Sequence, residues 1–145
     1  MLLENLKTLF KTPSDKTFSA TLSLELVSAA LLIEVAKSDF DFDDSERKRL
    51  MVLLNERFAL EGDDLKAVIQ QAEQRVESST SLHEFTREIN EQCDPEQKVA
   101  LLESMWRMAF ADGELDKYEE HLIRRVADLL YVPHSRFMTA KHAAR

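Results

Sequence analysis

Carboxylates are concentrated in two short windows of this chain of 145 residues. Residues 38–46 hold five acids and no base, and residues 112–120 hold five acids and one lysine. The acids are Asp39, Asp41, Asp43, Asp44 and Glu46 in the first window, and Asp112, Glu114, Asp116, Glu119 and Glu120 in the second. The chain carries a net charge of −8, so outside the windows it is close to neutral. Such local acid favours divalent cations or basic protein surfaces as partners, whereas nucleic acid, whose phosphates would be repelled, is not expected.

Helix capping accounts for part of each window. Asp43 and Glu46 have the spacing of a capping box, and so do Asp116 and Glu119. In such a box, the first residue accepts a hydrogen bond from a backbone N–H of the first helical turn, and the glutamate reaches back to the backbone of the first residue. Acids in a first turn are also favoured by the helix dipole. These pairs therefore predict that a helix begins directly after each acidic loop.

Capping leaves the acids that precede the caps without an explanation, and like charges crowded on a short loop cost stability unless water or a counter-ion relieves them. Positions 1, 3 and 5 of each loop, together with the glutamate at position 8, can converge on one cation, as in calcium loops. Ligands that are all oxygens favour calcium, magnesium or manganese. The predicted metal ligands are Asp112, Glu114, Asp116 and Glu119 at a stronger site, and Asp39, Asp41, Asp43 and Glu46 at a weaker one.

Two other interpretations of the acidic windows stay open. Neither loop has the EF-hand pattern, which needs glycine at the sixth position and glutamate at the twelfth. The first alternative is therefore a solvated acidic loop that binds no ion tightly. The second, a metal-dependent hydrolase, needs an open cleft beside the ions and a general base, and the sequence supplies neither of them clearly.

The elements around the windows are all predicted to be helices. Apolar residues recur with helical spacing, and the chain has only two glycines and three prolines, which disfavours the tight turns of a sheet. The stripes predict helices over about 2–10, 18–37, 50–58, 65–76, 82–89, 99–109, 122–130 and 137–140. Gly62 is expected to end the third helix, Ser81 with Glu84 to cap the fifth, and Asp94 before Pro95 to cap the sixth. The expected fold is a compact all-α bundle of about seven to eight helices in one domain, residues 1–145.

The two windows also predict an internal repeat. When the chain is shifted by 73 residues, acids coincide at positions 39/112, 41/114, 43/116 and 46/119, and the apolar Phe42 meets Leu115. Each copy reads as helix, acidic loop, helix, so the halves at about 18–60 and 95–131 are expected to form a pseudo-twofold bundle. The helix pair around 22–58 should then superpose on the pair around 95–131, with Phe42 and Leu115 both pointing into the core.

Residues 111–119, Ala-Asp-Gly-Glu-Leu-Asp-Lys-Tyr-Glu, resemble the A-D-G-x-[IL]-D-x-x-E signature of the tellurite-resistance protein B family, the TerB-like domains. The first copy departs from the signature, since Ser38 and Phe40 stand where Ala and Gly are expected. The resemblance implies a bacterial, cytoplasmic helical domain in two similar halves, with acidic turns that hold divalent cations. It also implies links to tellurite and other stress resistance, association with co-chaperone domains, and no catalytic activity.

Other residues with reactive side chains form no recognisable motif. Cys93 is the single cysteine, and His83, His121, His134 and His142 lack paired metal-ligand spacing. Residues 121–145 carry five Lys or Arg and one Asp, which can either dock an acidic partner or balance the acidic loops. No signal peptide or membrane-inserted segment is expected. We therefore expect a non-enzymatic cytoplasmic domain that binds divalent cations, protein partners or both; the alternative is a metal-free helical scaffold whose acidic turns serve only as caps.

Overall fold

The computed structural model describes residues 15–37, 43–78, 81–110 and 115–145, with side chains described from Leu24 onward. These residues form seven α-helices and no strand, which confirms the predicted all-α fold. The helices are α1 Asp15–Lys37, α2 Asp44–Phe58, α3 Gly62–Ser78, α4 Leu82–Gln92, α5 Pro95–Ala109, α6 Lys117–Leu129 and α7 His134–Ala144. The helix expected over residues 2–10 lies outside the described residues.

Helix α1 occupies the centre of the bundle. Its second half is apolar around most of its circumference, and such a helix is stable only when other elements surround it. It packs against α2, α3, α4, α5 and α6, while α7 packs on α5. Its fully buried apolar residues are Val27, Ala29, Ala30, Leu31, Leu32, Ile33, Val35 and Ala36.

The surrounding helices contribute one apolar stripe each, so that the buried residues form a single core. Trp106 on α5 is fully buried in this core and stacks on Phe110, with ring centroids 5.9 Å apart. It also contacts Phe137 of α7 in a tilted arrangement, with ring centroids 5.3 Å apart. The predicted inward positions of Met105 and Trp106 are therefore confirmed, since both side chains are fully buried.

The junction between α2 and α3 differs from the prediction. Helix α2 ends at Phe58 because Ala59 adopts the left-handed conformation, with φ 57° and ψ 30°, and its N–H donates to the carbonyl of Asn55 at 2.8 Å. Gly62, with φ +60°, is the first residue of α3. The prediction that Gly62 ends the preceding helix was wrong, because the positive φ of the glycine turns the chain into the next helix instead.

The predicted caps of α4 and α5 are present. Asp94 accepts a hydrogen bond from the N–H of Gln97 at 2.8 Å, and Gln97 Oε1 accepts one from the N–H of Asp94 at 2.9 Å. Ser81 caps α4 through the N–H of His83, at 2.9 Å. The predicted partner of Ser81, Glu84, lies instead 3.6 Å from Arg75.

Helix α6 ends in a Schellman motif that has tyrosine where glycine is usual. The N–H of Val132 donates to the carbonyl of Ala127 at 3.0 Å, and the N–H of Tyr131 donates to the carbonyl of Asp128 at 3.1 Å. These are the two hydrogen bonds that define the motif. Tyr131 occupies the left-handed position, with φ 61°. The chain then continues through Val132 and Pro133 into α7.

The internal repeat stays a prediction. Helix α1 packs on α2, and α5 packs on α6, so each acidic window joins two helices that touch. The surroundings of the two helix pairs differ, because α1 lies at the centre of the bundle whereas α5 also packs against α7. Leu115 is half-buried against the core, as the repeat requires, but its counterpart Phe42 lies outside the described residues.

Candidate functional site

The first acidic window leads into α2 through a capping box at Asp43 and Glu46. The backbone N–H of Glu46 donates to Asp43 Oδ1 at 2.9 Å, and the backbone N–H of Asp43 donates to Glu46 Oε1 at 3.1 Å. Ser45 Oγ adds a hydrogen bond to Asp43 Oδ1 at 2.9 Å. The hydrogen bond from the backbone of Glu46, and then that from the Ser45 hydroxyl, lower the pKa of the Asp43 carboxyl, because both stabilise its charged form.

The second acidic window leads into α6 in the same way. The backbone N–H of Tyr118 donates to Asp116 Oδ1 at 2.7 Å, and the backbone N–H of Asp116 donates to Glu119 Oε1 at 3.2 Å. Asp116 and Glu119 complete a capping box. The prediction that these four carboxylates start two helices is thus confirmed, and the cause is local, because every partner lies within three residues along the chain.

Both capping glutamates are buried, which capping alone does not require. Glu46 is 5% exposed and Glu119 is 2% exposed, whereas the corresponding Gln97 of α5 lies at the surface. A carboxylate is rarely buried to this degree without polar or charged neighbours, because it loses its hydration. Each of these two glutamates lies towards the helix end of its acidic window, at the base of the window, and is buried beside the core.

The other four predicted ligands, Asp39, Asp41, Asp112 and Glu114, lie outside the described residues. The structure therefore brings Asp43 to Glu46 and Asp116 to Glu119. Among the residues that it describes, it shows no group of three or more metal-ligating side chains. The complete sites stay predictions.

A lysine of α7 lies beside the second window and pairs with one of its acids, although the sequence did not indicate which basic residue would do so. Lys141 Nζ is 3.2 Å from Glu120 Oε2 and 5.2 Å from the centroid of the Trp106 ring. Arg145 lies over the ring of Phe110, 5.8 Å from its centroid, directly before the window. Part of the basic C-terminal stretch thus balances the second window, as one of the two sequence interpretations proposed.

The single cysteine, which forms no recognisable motif in the sequence, is half-buried at the end of α4. Burial raises the pKa of the Cys93 thiol, although the nearby Arg57 acts in the opposite direction. A raised pKa keeps the thiol protonated, and the protonated form is a poor nucleophile. His121 lies exposed on α6.

A helical bundle with two acidic helix starts, each built on a buried glutamate, is the class of domain that this fold and site define. Residues 25–142 match the family described as tellurite resistance protein TerB, and the chain belongs to that family. The resemblance found at residues 111–119 is therefore confirmed. No match was found among curated proteins or among solved structures.

In the described part of the chain, no helix is both long enough and apolar enough to cross a membrane.

Proposed function

We propose that this chain is a non-enzymatic domain of the tellurite-resistance type that binds a divalent cation at its acidic windows and docks protein partners. The observation that carries the cation-binding part is the burial of Glu46 and Glu119 at the bases of the two windows. Calcium, magnesium and manganese are the proposed ions, since every proposed ligand is an oxygen. A cytoplasmic location and a role in stress resistance are proposed with it, because the family implies both.

The burial supports a cation for an electrostatic reason. Glu46 is the last of five acids within eight residues and Glu119 the last of four, and among the described acids of each window it is the most buried. Repulsion between carboxylates grows as the surrounding dielectric constant falls. A divalent ion at the mouth of the window would relieve this repulsion and bring the loop acids towards the buried carboxylate.

A metal-free scaffold is the competing proposal, and the capping boxes support it. Asp43, Glu46, Asp116 and Glu119 all make hydrogen bonds that stabilise helix starts without any ion. The two proposals predict different results for a substitution that removes the negative charge of the glutamate but keeps the capping box. Helix α5 shows that glutamine is sufficient, since Gln97 completes a box with Asp94 at 2.8 and 2.9 Å.

The test is therefore Glu119→Gln and Glu46→Gln, each compared with the parent protein after treatment with a chelator. Calcium, magnesium and manganese are titrated by calorimetry, and melting temperatures are measured with and without each ion. A cation at a hundredfold excess over its Kd stabilises the parent by about 2.7 kcal/mol through mass action. The gain should shrink in both variants and in Asp112→Asn, with the larger loss at the second window.

Gln97→Glu is the matched control, because it introduces the same Asp–Glu box at a helix start that follows no acidic loop. This variant should show the same response to cations as the parent protein. If the parent melts at one temperature with and without every ion, the cation proposal is rejected and the scaffold proposal stands.

A further inference from the structure

Tyr131, at the end of α6, combines a strained backbone with an exposed side chain. Its φ of 61° lies in the left-handed region, which costs an L-residue about 1–2 kcal/mol and is therefore usually left to glycine. Burial of the ring does not offset this cost, because the residue is 81% exposed. Strained positions of this kind are concentrated at functional sites.

Hydrogen bonds hold the backbone that carries Tyr131 in place. Besides the two bonds of the Schellman motif, the carbonyl of Leu129 accepts a hydrogen bond from Asn90 Nδ2 at 3.0 Å. The carbonyl of Leu130 accepts one from Lys98 Nζ at 3.3 Å. The last carbonyls of α6 are thus held by side chains of α4 and α5. A tyrosine fixed in this way loses little conformational entropy when a partner binds, since only two side-chain torsions remain.

A small cavity of about 60 Å³ opens beside the tyrosine. Pro95, Val99 and Pro133 contribute apolar surface to it, and Lys98 and Arg136 contribute positive charge. None of the described residues that line the cavity is a carboxylate, although the chain as a whole carries a net charge of −8. We name these residues, with Tyr131, the tyrosine patch.

Both cations of the tyrosine patch can bind a further carboxylate. Lys98 uses one hydrogen bond on the carbonyl of Leu130, and an ammonium group has three donors. Arg136 pairs with both oxygens of Glu96 at 2.9 Å, but Glu96 lies largely in water, where such pairs contribute little. A partner carboxylate can therefore compete for Arg136 at small cost.

We propose that the tyrosine patch docks an acidic linear segment of a protein partner, an inference that rests on the partner-binding part of the proposed function. A small apolar side chain fills the cavity, whose volume is roughly that of two water molecules. The Tyr131 ring packs against the neighbouring residue of the segment, and an adjacent aspartate or glutamate pairs with Lys98 or Arg136. Exposed tyrosines on rigid elements are frequent binding hot spots.

The experiment uses a phage-displayed library of random linear peptides, selected on the full chain. The most enriched peptide is then synthesised, and its affinity is measured by fluorescence anisotropy. We expect enriched peptides to place an acid next to a small apolar residue. Tyr131→Gly should weaken binding by about thirtyfold, the loss typical of a hot-spot truncation. Lys98→Met should weaken it severalfold and reduce its dependence on salt.

Two features of the chain separate docking from folding. Tyr131→Gly removes the backbone strain, so its melting temperature should rise while its affinity falls; a lower melting temperature would show a structural role for Tyr131 and overturn the inference. Tyr118→Ala is the matched control: Tyr118 is 63% exposed at the other end of α6, so its removal should leave the affinity unchanged.

The remaining outcomes distinguish the two proposals. Peptides that bind the parent and Tyr131→Gly equally well would place partner binding elsewhere, which rejects the tyrosine patch but keeps the proposed function. If no peptide is enriched over an empty support, both the patch and the partner-binding part of the proposed function are rejected. The cation titration decides the other part independently.

Discussion

The turn between α2 and α3 offers a pair of opposite substitutions whose effects follow from backbone conformation alone. Ala59 has φ 57° and Gly62 has φ +60°, and both lie at the surface. Left-handed backbone costs alanine about 1–2 kcal/mol. Glycine avoids this cost but loses about 0.5–1 kcal/mol more conformational free energy on folding. Ala59→Gly should therefore stabilise the protein by about 0.5–1 kcal/mol.

Gly62→Ala should produce the opposite change. A Cβ atom added at Gly62 meets nothing within 4 Å, so no clash contributes and only the backbone strain remains. We expect a loss of about 0.5–1 kcal/mol.

Urea unfolding, followed by far-ultraviolet circular dichroism, measures both changes. The midpoint should shift in opposite directions at constant slope, since neither substitution alters the surface exposed on unfolding. For a chain of this size, the same changes move the melting temperature by roughly 1–4 °C. A destabilised Ala59→Gly would refute the reasoning, because it would mean that the alanine methyl group contributes more than the left-handed conformation costs.

Substitutions at three further positions test the core, a cap and a partly buried acid. Phe85→Ala should cost about 3–5 kcal/mol by urea unfolding, because the ring is fully buried; a loss below 1 kcal/mol would contradict the described packing. Asp94→Ala should cost about 1 kcal/mol and Asp94→Asn much less, measured in the same way, since asparagine also caps helices. Burial, and then the charge of Asp64, raise the pKa of Glu25 above 4.5. A raised pKa makes the ionised form unfavourable in the folded state, so Glu25→Gln should stabilise the protein at pH 7 and lose this advantage near pH 4; thermal melts at both pH values check this.

Most of the fold could be predicted because the helices are defined by long apolar stripes. The helix predicted over about 18–37 corresponds to α1, and the structure packs it against five other helices. The junction at Gly62 was missed because glycine serves a positive φ at either end of a helix. That choice depended on whether Ala59 would accept the left-handed conformation, which the sequence pattern does not reveal.

The candidate site was predictable only where its interactions are local. The boxes at Asp43 and Asp116 depend on partners three residues away or fewer, so their spacing was sufficient. The burial of Glu46 and Glu119 depends on how α2 and α6 pack against the core, and the ion pair between Lys141 and Glu120 joins residues from different helices. The spacing of the acids along the sequence predicts neither the burial nor the ion pair. The left-handed conformation of Tyr131 at the end of α6 could not be predicted either, because its position in the sequence does not indicate its φ.

The central position of α1 has a consequence for how the protein is made. This helix is synthesised before α2 to α6, which cover it, so its apolar surface has few partners while the chain is emerging from the ribosome. Exposed apolar segments of that length are prone to aggregate and are typical substrates of chaperones. Substitutions that delay the docking of α4 or α5 should therefore lower the yield of folded protein more than its equilibrium stability. The order of the helices along the chain makes the nascent protein more vulnerable than the finished one.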